Sequence, residues 1–225
     1  MRTVILTGAA GNLGRAVANA FAEAGENLVL LDLKPGALPS SDRQLYVATN
    51  LLDAQSGQSA VDQALQRFKR IDVLCNIAGG FRMGSPVHET SDKDWNFLLD
   101  INARTLLNMS RAVVPVMLKA GGGKIVNIGA FAAQTGAAQM GAYVASKSAV
   151  IRLTESMAAE LREKNINVNC VLPTIIDTPE NRAAMPKADP KRWVAPEDLA
   201  RVIVFLASDA ARAIHGAALP VTGLS

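Results

Sequence analysis

Tyr143 and Lys147 are the two side chains whose types and spacing best suit catalysis. They stand four residues apart in a stretch with helical spacing, so both project from one helix face. An ammonium beside a phenol favours the phenolate and lowers its pKa from ~10, which yields a general acid/base for neutral pH. With two tyrosines and nine lysines in the chain, this spacing arises by chance in roughly one such sequence in ten. Whether the pair is catalytic therefore depends on the sequence elements around it.

A glycine-rich turn near the start of the chain offers a place for a cofactor. The apolar run 4–6 leads into the sequence TGAAGNLG at 7–14, and a helical pattern follows. Gly8, Gly11 and Gly14 lack the Cβ that would block a tight turn, a close pyrophosphate and packing of helix on strand. The helix N-terminus offers amide donors to phosphates. The pattern predicts a dinucleotide site, with a glycine-rich turn that binds nothing as the alternative.

Asp32 ends the next apolar run, 27–31. A carboxylate at this position can accept hydrogen bonds from both adenosine ribose hydroxyls and repel the extra phosphate of NADP. This favours NAD over NADP. An Asp that caps an ordinary turn is the alternative, and the nearby Lys34 could accept a 2′-phosphate.

Apolar strand-like runs alternate with helical patterns along the chain, which predicts a parallel sheet. The predicted strands are 4–6, 27–31, 44–48, 71–75, 124–128, 167–172 and 217–221. The predicted helices are 15–24, 50–70, 91–119, 142–164 and 197–207. Proline and glycine oppose a helix at 35–42, so the second crossover is expected to be a loop, and 173–195 is expected to be an irregular loop.

Composition and length predict a single domain over 1–225, with a substrate-side loop at about 174–195. A hydrophobic content of 49% with 19% charged residues argues against disorder. The net charge of +3 and the absence of a basic run give no reason to expect nucleic acid or a membrane as a partner. No run reaches the ~18 apolar residues of a membrane span, and too few precede Thr7 for a signal peptide, so we expect a cytoplasmic protein.

The cysteines and histidines give no sign of a disulfide or a metal site. Cys75 and Cys170 lie in apolar runs and are expected to be buried, reduced thiols. His88 and His215 are expected to be surface or packing residues, because no His, Cys and carboxylate cluster has metal-ligand spacing. We therefore expect no metal.

Four motifs together resemble the short-chain dehydrogenase/reductase family, in order and across essentially the whole chain. They are TGAAGNLG at 7–14, NIAG at 76–79, Asn102, and YVASK at 143–147. The resemblance implies a Rossmann-type three-layer α/β sandwich with a seven-stranded parallel sheet. It implies Tyr143 as proton donor or acceptor, Lys147 holding the nicotinamide ribose and lowering the tyrosine pKa, and Asn102 anchoring a proton-relay water.

The same resemblance, together with the glycine turn and Asp32, assigns the cofactor-binding residues. Asn76, Ala78 and Gly79 are expected beside the adenosine half, and residues 173–178 near the nicotinamide. The complete expected set is Gly8, Gly11, Asn12, Leu13, Gly14, Asp32, Asn50, Leu51, Asn76, Ala78, Gly79, Tyr143, Lys147, Pro173, Ile176 and Thr178.

Three positions depart from the family pattern. Asn12 stands where many members have glycine, which should alter turn detail more than cofactor class. Asn50 replaces a common Asp near adenine. Ala130 occupies the position of the catalytic serine, thirteen residues before the tyrosine, so the hydroxyl that would polarise a substrate carbonyl is missing.

One branch of the family, dihydropteridine reductase, is similar in these respects. It uses NADH, lacks that serine and has a short second crossover. The segments 171–189 and 75–81 of this chain resemble its sequence closely. Shared ancestry with a different substrate would produce the same likeness, since function lies in the site rather than in the fold.

These observations predict an NADH-preferring oxidoreductase that moves hydride between nicotinamide and a small carbonyl, imine or quinonoid substrate. Reduction of quinonoid dihydropterin is the alternative, and a dinucleotide-sensing protein with lapsed catalysis is a second one. The small and apolar residues of the two long helices predict a homodimer or homotetramer. Candidate pocket residues are Phe81, Met83, Phe131, Met140 and Trp193, with a plain packing role as the alternative for each. Candidate anion-binding residues are Arg182, Lys187, Lys191 and Arg192, but the favoured interpretation for them is a solvated loop face.

Overall fold

The computed structural model describes residues 1–34 and 41–225. Within this part of the chain, seven parallel strands form one sheet in the order β3-β2-β1-β4-β5-β6-β7. The strands are β1 (Thr3–Thr7), β2 (Asn27–Asp32), β3 (Gln44–Ala48), β4 (Val73–Asn76), β5 (Gly123–Ile128), β6 (Ile166–Pro173) and β7 (Ala218–Val221). The predicted parallel sheet is confirmed. The second crossover, predicted as a loop over 35–42, lies largely outside the described residues.

Helices cover both faces of this sheet. They are α1 (Asn12–Glu23), α2 (Ala54–Phe68), α3 (Asp92–Leu99), α4 (Thr105–Ala120), α5 (Gly141–Leu161), α6 (Pro179–Ala184) and α7 (Pro196–Leu206). Val4 and Leu6 of β1 pack with α1 and α7 on one face, whereas Ile5 packs with α2, α4 and α5 on the other. Successive strand residues alternate between faces, and both faces are covered, which is why the strands read as continuous apolar runs. The arrangement is the Rossmann-type α/β fold.

The stretch predicted as one helix over 91–119 is divided. Helix α3 ends at Leu99, a π-helical turn spans Asp100–Arg104, and α4 follows. At the start of α4, the Thr105 hydroxyl donates a 2.8 Å hydrogen bond back to the Ile101 carbonyl in the turn. A π turn shifts the angular position of the residues it carries, and here it aims Asn102 at the loop after β4.

The prediction of an irregular loop over 173–195 is wrong in part, because the segment contains α6. The Thr178 hydroxyl accepts a 3.2 Å hydrogen bond from the Asn181 amide as an N-cap, and Pro179 occupies the first helical position. Both are helix-start signals present in the sequence.

Candidate active site

Lys147 lies in the second turn of α5, and its side chain is buried. Its Nζ donates a 2.8 Å hydrogen bond to the Ile128 carbonyl at the end of β5. Burial lowers the pKa of Lys147 to about 8. A cation with this pKa is mostly protonated at neutral pH and keeps donors available for a ligand.

Tyr143 lies one turn earlier on the same helix, with its ring half-buried. The Phe81 ring meets it edge-on, with 4.9 Å between centroids and an interplanar angle of 88°. Burial raises the pKa of Tyr143 to about 12. This is opposite to the lowering expected from Lys147, because desolvation of the phenol dominates and the ammonium is engaged with Ile128.

Asn102 ties the loop after β4 to the start of α5. Its Oδ1 accepts a 3.0 Å hydrogen bond from the Gly80 amide, and its Nδ2 donates to the Gly80 carbonyl and to the Ser146 hydroxyl, each at 3.0 Å. Ser146 in turn donates a 2.7 Å hydrogen bond to the Tyr143 carbonyl. The side chain therefore holds the loop against the helix that carries the tyrosine.

Gly79 lies against two of these side chains. A Cβ at this position would lie 2.9 Å from Asn102 Oδ1 and 3.1 Å from Lys147 Nζ. Both distances are shorter than ordinary contacts, so glycine lets the backbone after β4 pass beside the lysine. The structure thus brings Asn102, predicted from one part of the sequence, close to Lys147 of the YVASK motif, and Asn102 is linked through Ser146 to the Tyr143 carbonyl.

Ala130 is 4% exposed and follows β5 at the edge of this cluster. Its methyl group can neither donate nor accept a hydrogen bond. Gln134 and Thr135, two polar side chains in the segment that follows, are exposed.

The glycine turn has the geometry that a phosphate-binding turn requires. Gly8 has a φ of +64°, and a Cβ there would come within 2.9 Å of the Ala78 backbone. A Cβ on Gly14 would lie 2.1 Å from the Gly8 carbonyl oxygen, so α1 can pack this close to β1 only with glycine. Helix α1 starts after Gly11 with no side-chain cap and no acidic residue in its first turn, which holds Asn12 and Leu13. Its first amides therefore remain available to an anion.

Thr7, the last residue of β1, fixes the glycine turn to the loop after β4. Its hydroxyl accepts hydrogen bonds from the Ile77 amide at 2.9 Å and the Ala78 amide at 3.1 Å. Thr7 is the first residue of the glycine motif, but the motif predicted no role for it in the site.

Asp32 lies beside this turn at the end of β2. Its Oδ2 accepts a 2.9 Å hydrogen bond from the Ala10 amide, and its Oδ1 accepts one of 2.8 Å from the Leu33 amide. Each carboxylate oxygen keeps further acceptor capacity, which a ribose diol can use. The Arg15 Nε donates a 2.9 Å hydrogen bond to the Ala10 carbonyl. The backbone of Ala10 is therefore held at both its amide and its carbonyl.

The expected adenosine-side residues lie at the ends of β4 and β3, on either side of β1 and β2 in the sheet. Asn76 donates a 2.9 Å hydrogen bond to Asn127, which donates one of 2.8 Å to the Thr154 hydroxyl. Sequence reasoning missed Asn127 and Thr154, although an asparagine inside the apolar run of β5 is a visible anomaly. Asn50 is exposed after β3, and the Leu51 carbonyl accepts a 2.9 Å hydrogen bond from Asn108.

The substrate-side segment, 174–195, contacts the glycine turn. It starts after Pro173, the last residue of β6, and Ile176 pairs with Val194 in an isolated bridge. Asn12 donates a 2.7 Å hydrogen bond to Glu180 in the first turn of α6. Thr178, which caps that helix, therefore lies near the glycine turn.

Two side chains of this segment have structural contacts of their own. Trp193 is 7% exposed and packs as a buried residue, so it does not line an open pocket. The Arg182 guanidinium makes a bidentate pair with Asp177, at 2.6 and 2.7 Å, and the pairing holds the pKa of that carboxyl below its usual range. Arg182 is therefore already neutralised within the segment.

A cleft opens next to Tyr143, between the loop after β4 and the start of α5. Its walls include Arg82, Thr90, Asp94, Gln139 and Met140. Phe81, Met83 and Phe131 are exposed near this side of the protein. The cleft is the place where a substrate can meet the tyrosine.

Within residues 1–34 and 41–225, no three or more His, Cys, Asp or Glu side chains form a group that could hold a metal ion. No helix in the same ranges has both the length and the apolar character needed to cross a bilayer.

Comparison with known proteins adds a family model, described as "Enoyl-(Acyl carrier protein) reductase", that matches residues 8–223. D-threitol dehydrogenase of Mycolicibacterium smegmatis is 36% identical over 99% of this chain and 92% of its own length. Dehydrogenase/reductase SDR family member 6 of Rattus norvegicus is 32% identical over 99% of this chain and 96% of its own. The solved structure of NAD+-bound xylitol dehydrogenase superposes with a TM-score of 0.90 at 28% identity, covering 99% of this chain and 98% of that one.

Proposed function

The chain belongs to the short-chain dehydrogenase/reductase family, and from this premise we propose that it is an NAD(H)-dependent oxidoreductase with Tyr143 as general acid/base. Its substrate is a small carbonyl, imine or quinonoid compound or the corresponding reduced form. The observation that carries the proposal is the approach of Asn102 and Lys147 to Gly79, with Asn102 linked through Ser146 to the Tyr143 carbonyl. The relatives named for D-threitol and xylitol favour an alcohol and carbonyl pair among these substrates.

The residues present fit a dinucleotide. The uncapped first turn of α1, with Gly8, Gly11 and Gly14, would hold the pyrophosphate, and Asp32 would hold the adenosine ribose. Lys147 would hold the nicotinamide ribose with the donors that its bond to Ile128 leaves free. When bound, the dinucleotide supplies or accepts the hydride. The NAD+-bound relative supports this choice of cofactor.

The remaining site residues extend the proposed binding surface. Thr7 holds the loop of Asn76, Ala78 and Gly79 against the glycine turn, which favours contact of that loop with the cofactor. Asn50 and Leu51 stay assigned to the adenine side. Pro173, Ile176 and Thr178 stay assigned to the nicotinamide side, beside the contact of Asn12 with Glu180.

Tyr143 supplies the proton in the reducing direction. With its pKa raised to about 12, the phenol holds its proton at neutral pH and can donate it from Oη to the substrate oxygen or nitrogen. Phe81 covers the edge of the ring and keeps water from that side. Lys147, a buried cation one helical turn away, stabilises the phenolate that remains.

Asn102 acts as a positioning residue in this scheme. Its hydrogen bonds to Gly80 and Ser146 fix the loop after β4 relative to α5, and Ser146 is bonded to the tyrosine carbonyl. In this proposal Asn102 also anchors the relay water that the family resemblance implies. The π-helical turn carries Asn102 at the base of the site.

Ala130 favours a second candidate, reduction of quinonoid dihydropterin. A ketone benefits from a donor on the developing alkoxide, whereas a conjugated quinonoid imine accepts hydride readily without one. The buried methyl group of Ala130 provides no such donor. A dinucleotide-sensing protein without catalysis is the third reading, and it predicts cofactor binding with no turnover.

NADH oxidation by the purified protein, assayed with ketones, imines and quinonoid dihydropterin, tests these readings together. Tyr143→Phe should bind NADH with nearly unchanged affinity in calorimetry while turnover falls ~10²-fold or more, the scale of a lost proton donor. Turnover that survives this substitution would overturn the assignment of Tyr143. NADH binding without turnover of any acceptor would leave the sensing protein as the remaining reading.

We also propose a homodimer or homotetramer, with roughly 800 Å² or more buried per partner. The apolar side chains of Leu118, Phe205 and Leu219 are exposed in the single chain, which supports association. Light scattering at micromolar concentration should give at least twice the mass of one chain, and a monomer would refute the proposal.

A further inference from the structure

An ion pair lines the cleft beside the tyrosine. Arg82 Nη1 lies 2.7 Å from Asp94 Oδ1, and both residues form the cleft wall together with Tyr143. Arg82 directly follows Phe81, whose ring contacts the tyrosine ring. The charged pair is therefore placed where the part of a substrate beyond its reacting carbon must lie.

Both charged groups are held in fixed orientations. The Arg82 guanidinium lies over the Phe97 ring, 3.9 Å from its centroid. The Asp94 Oδ2 accepts a 2.8 Å hydrogen bond from the Ser91 hydroxyl, and that bond together with Arg82 lowers the pKa of the Asp94 carboxyl. The pair thus presents an oriented guanidinium and an ionised carboxylate.

The pair is also open to a ligand. The Arg82 and Asp94 side chains are 45% and 44% exposed. The bond to Asp94 engages Nη1, and the fork geometry leaves the guanidinium with donors on Nε and Nη2. Asp94 keeps acceptor capacity on both oxygens.

The rest of the cleft is neutral. Ser85, Thr90 and Gln139 add uncharged donors and acceptors, and Met83 and Met140 add apolar surface. The charges of Arg82 and Asp94 cancel, so the cleft offers many hydrogen-bonding groups without a net charge. An anionic substrate would be repelled by the Asp94 carboxylate. A plain hydrocarbon would displace water from the ion pair without replacing the hydrogen bonds that the pair makes to that water.

We infer that the substrate is a neutral polyhydroxylated compound, an open-chain polyol or its keto or aldehyde form, whose hydroxyl groups beyond the reacting carbon bind the Arg82–Asp94 pair. The inference rests on the proposed function of the site. A vicinal diol matches the pair, because the guanidinium donates to hydroxyl oxygens while the carboxylate accepts from hydroxyl hydrogens. Arg82 and Asp94 are specificity-determining residues in this assignment.

The test compares butan-2-ol, butane-2,3-diol and erythritol as substrates with NAD+. In the wild type, kcat/KM should rise with each added hydroxyl group. Arg82→Met should lower kcat/KM for erythritol at least tenfold, mostly through KM, and leave butan-2-ol within about twofold. Asp94→Asn should lower erythritol similarly and improve an anionic probe, 3-hydroxybutyrate, because Arg82 then lacks its counter-charge. Arg201→Met, which breaks the more exposed Arg201–Asp198 pair on α7, should change none of these values.

A binding measurement separates this inference from the proposed function. Calorimetry with erythritol on Tyr143→Phe saturated with NAD+ should show binding that Arg82→Met in the same background abolishes. If this binding pattern appears but the wild type turns over no alcohol, ketone, imine or quinonoid acceptor, the proposed function fails and the polyol site stands. If Arg82→Met affects butan-2-ol and erythritol equally, or changes neither turnover nor binding of erythritol, the inference is overturned.

Discussion

The side-chain amide of Asn12 donates a 2.7 Å hydrogen bond to the carboxylate of Glu180. This bond joins the first residue of α1, at the glycine turn, to the first turn of α6 in the substrate-side segment. Glycine at position 12, the residue of many family members, would have no side chain to make it. Asn12 thus affects more than the detail of the turn, since it connects the cofactor side of the site to the substrate side.

Asn12→Ala should loosen α6 and its flanking residues. The lost hydrogen bond to a carboxylate removes the tie between α6 and the glycine turn. Hydrogen exchange in 177–185 should become at least threefold faster, and KM for NADH should rise several-fold. Gln58→Ala, which removes the exposed 2.9 Å bond to Asp62 on α2, is the matched control and should alter neither. Unchanged exchange in 177–185 would show that the bond does not hold α6.

Much of the fold could be predicted from the sequence, because its signals are local. The glycine turn and the apolar runs gave the parallel sheet, since buried strands and crossover helices have distinct patterns. The π-helical turn at Asp100–Arg104 was missed because it depends on a distant partner, the Gly80 backbone that Asn102 contacts. Helix α6 was missed for another reason: Thr178 and Pro179 signal a helix start, but the proline content of the segment was given more weight.

The sequence predicted which residues form the candidate site better than it predicted their pKa shifts and charge pairs. The spacing of Tyr143 and Lys147 placed both on one helix face, as the structure shows. The direction of the tyrosine pKa shift was wrong, because it depends on burial and on the lysine bond to Ile128, which no spacing reveals. The Arg82–Asp94 pair joins residues on different elements, so no periodic pattern marks it.

NADH should bind at least tenfold more tightly than NADPH, a difference of ~1.4 kcal/mol. The Asp32 carboxylate is fixed by the Ala10 and Leu33 amides at the expected ribose position, where it would repel a 2′-phosphate. Asp32→Ala should narrow the gap, as measured by calorimetry with both cofactors. Equal affinities in the wild type would contradict this reading of Asp32.

The stability of the wild type relative to Lys147→Met should rise between about pH 8 and pH 10. Burial lowers the pKa of Lys147 to about 8, below the ~10.4 of an unfolded chain, so the folded protein binds fewer protons across this window. Stability then increases with pH, by roughly 2 kcal/mol between pH 8 and pH 10 and roughly 3 kcal/mol over the full shift. The Cys170 thiol interacts with Lys147, but burial raises the pKa of Cys170 to about 11, above this window, and the remaining buried groups are common to both proteins. Urea unfolding curves from pH 7 to pH 10 measure it, and parallel pH profiles would contradict the prediction.

Gly79→Ala should reduce turnover by at least tenfold with little loss of fold. Its Cβ would meet Asn102 Oδ1 at 2.9 Å and Lys147 Nζ at 3.1 Å, so one or both side chains must shift. Small displacements of positioning groups cost one to two orders of magnitude in rate. Gly136→Ala places a Cβ in open space and serves as the control. Circular dichroism should be the same for both variants, and equal turnover would refute the close approach at Gly79.

Ala130→Ser should raise kcat/KM for ketones about tenfold or more and change quinonoid dihydropterin little. The methyl group of Ala130 is buried after β5, at the position that the family resemblance assigns to a serine, and a hydroxyl there would donate to the developing alkoxide of a ketone. Losing one such donor costs ~10²–10³-fold in other enzymes, so restoring it benefits the acceptor that needs it most. Ala138→Ser adds the same hydroxyl at an exposed position and should have no effect. If the wild type reduces ketones briskly and gains nothing from the new serine, another donor already performs its role. Gln139, which lines the cleft beside Tyr143, is then the residue to replace next, before the exposed Gln134 and Thr135.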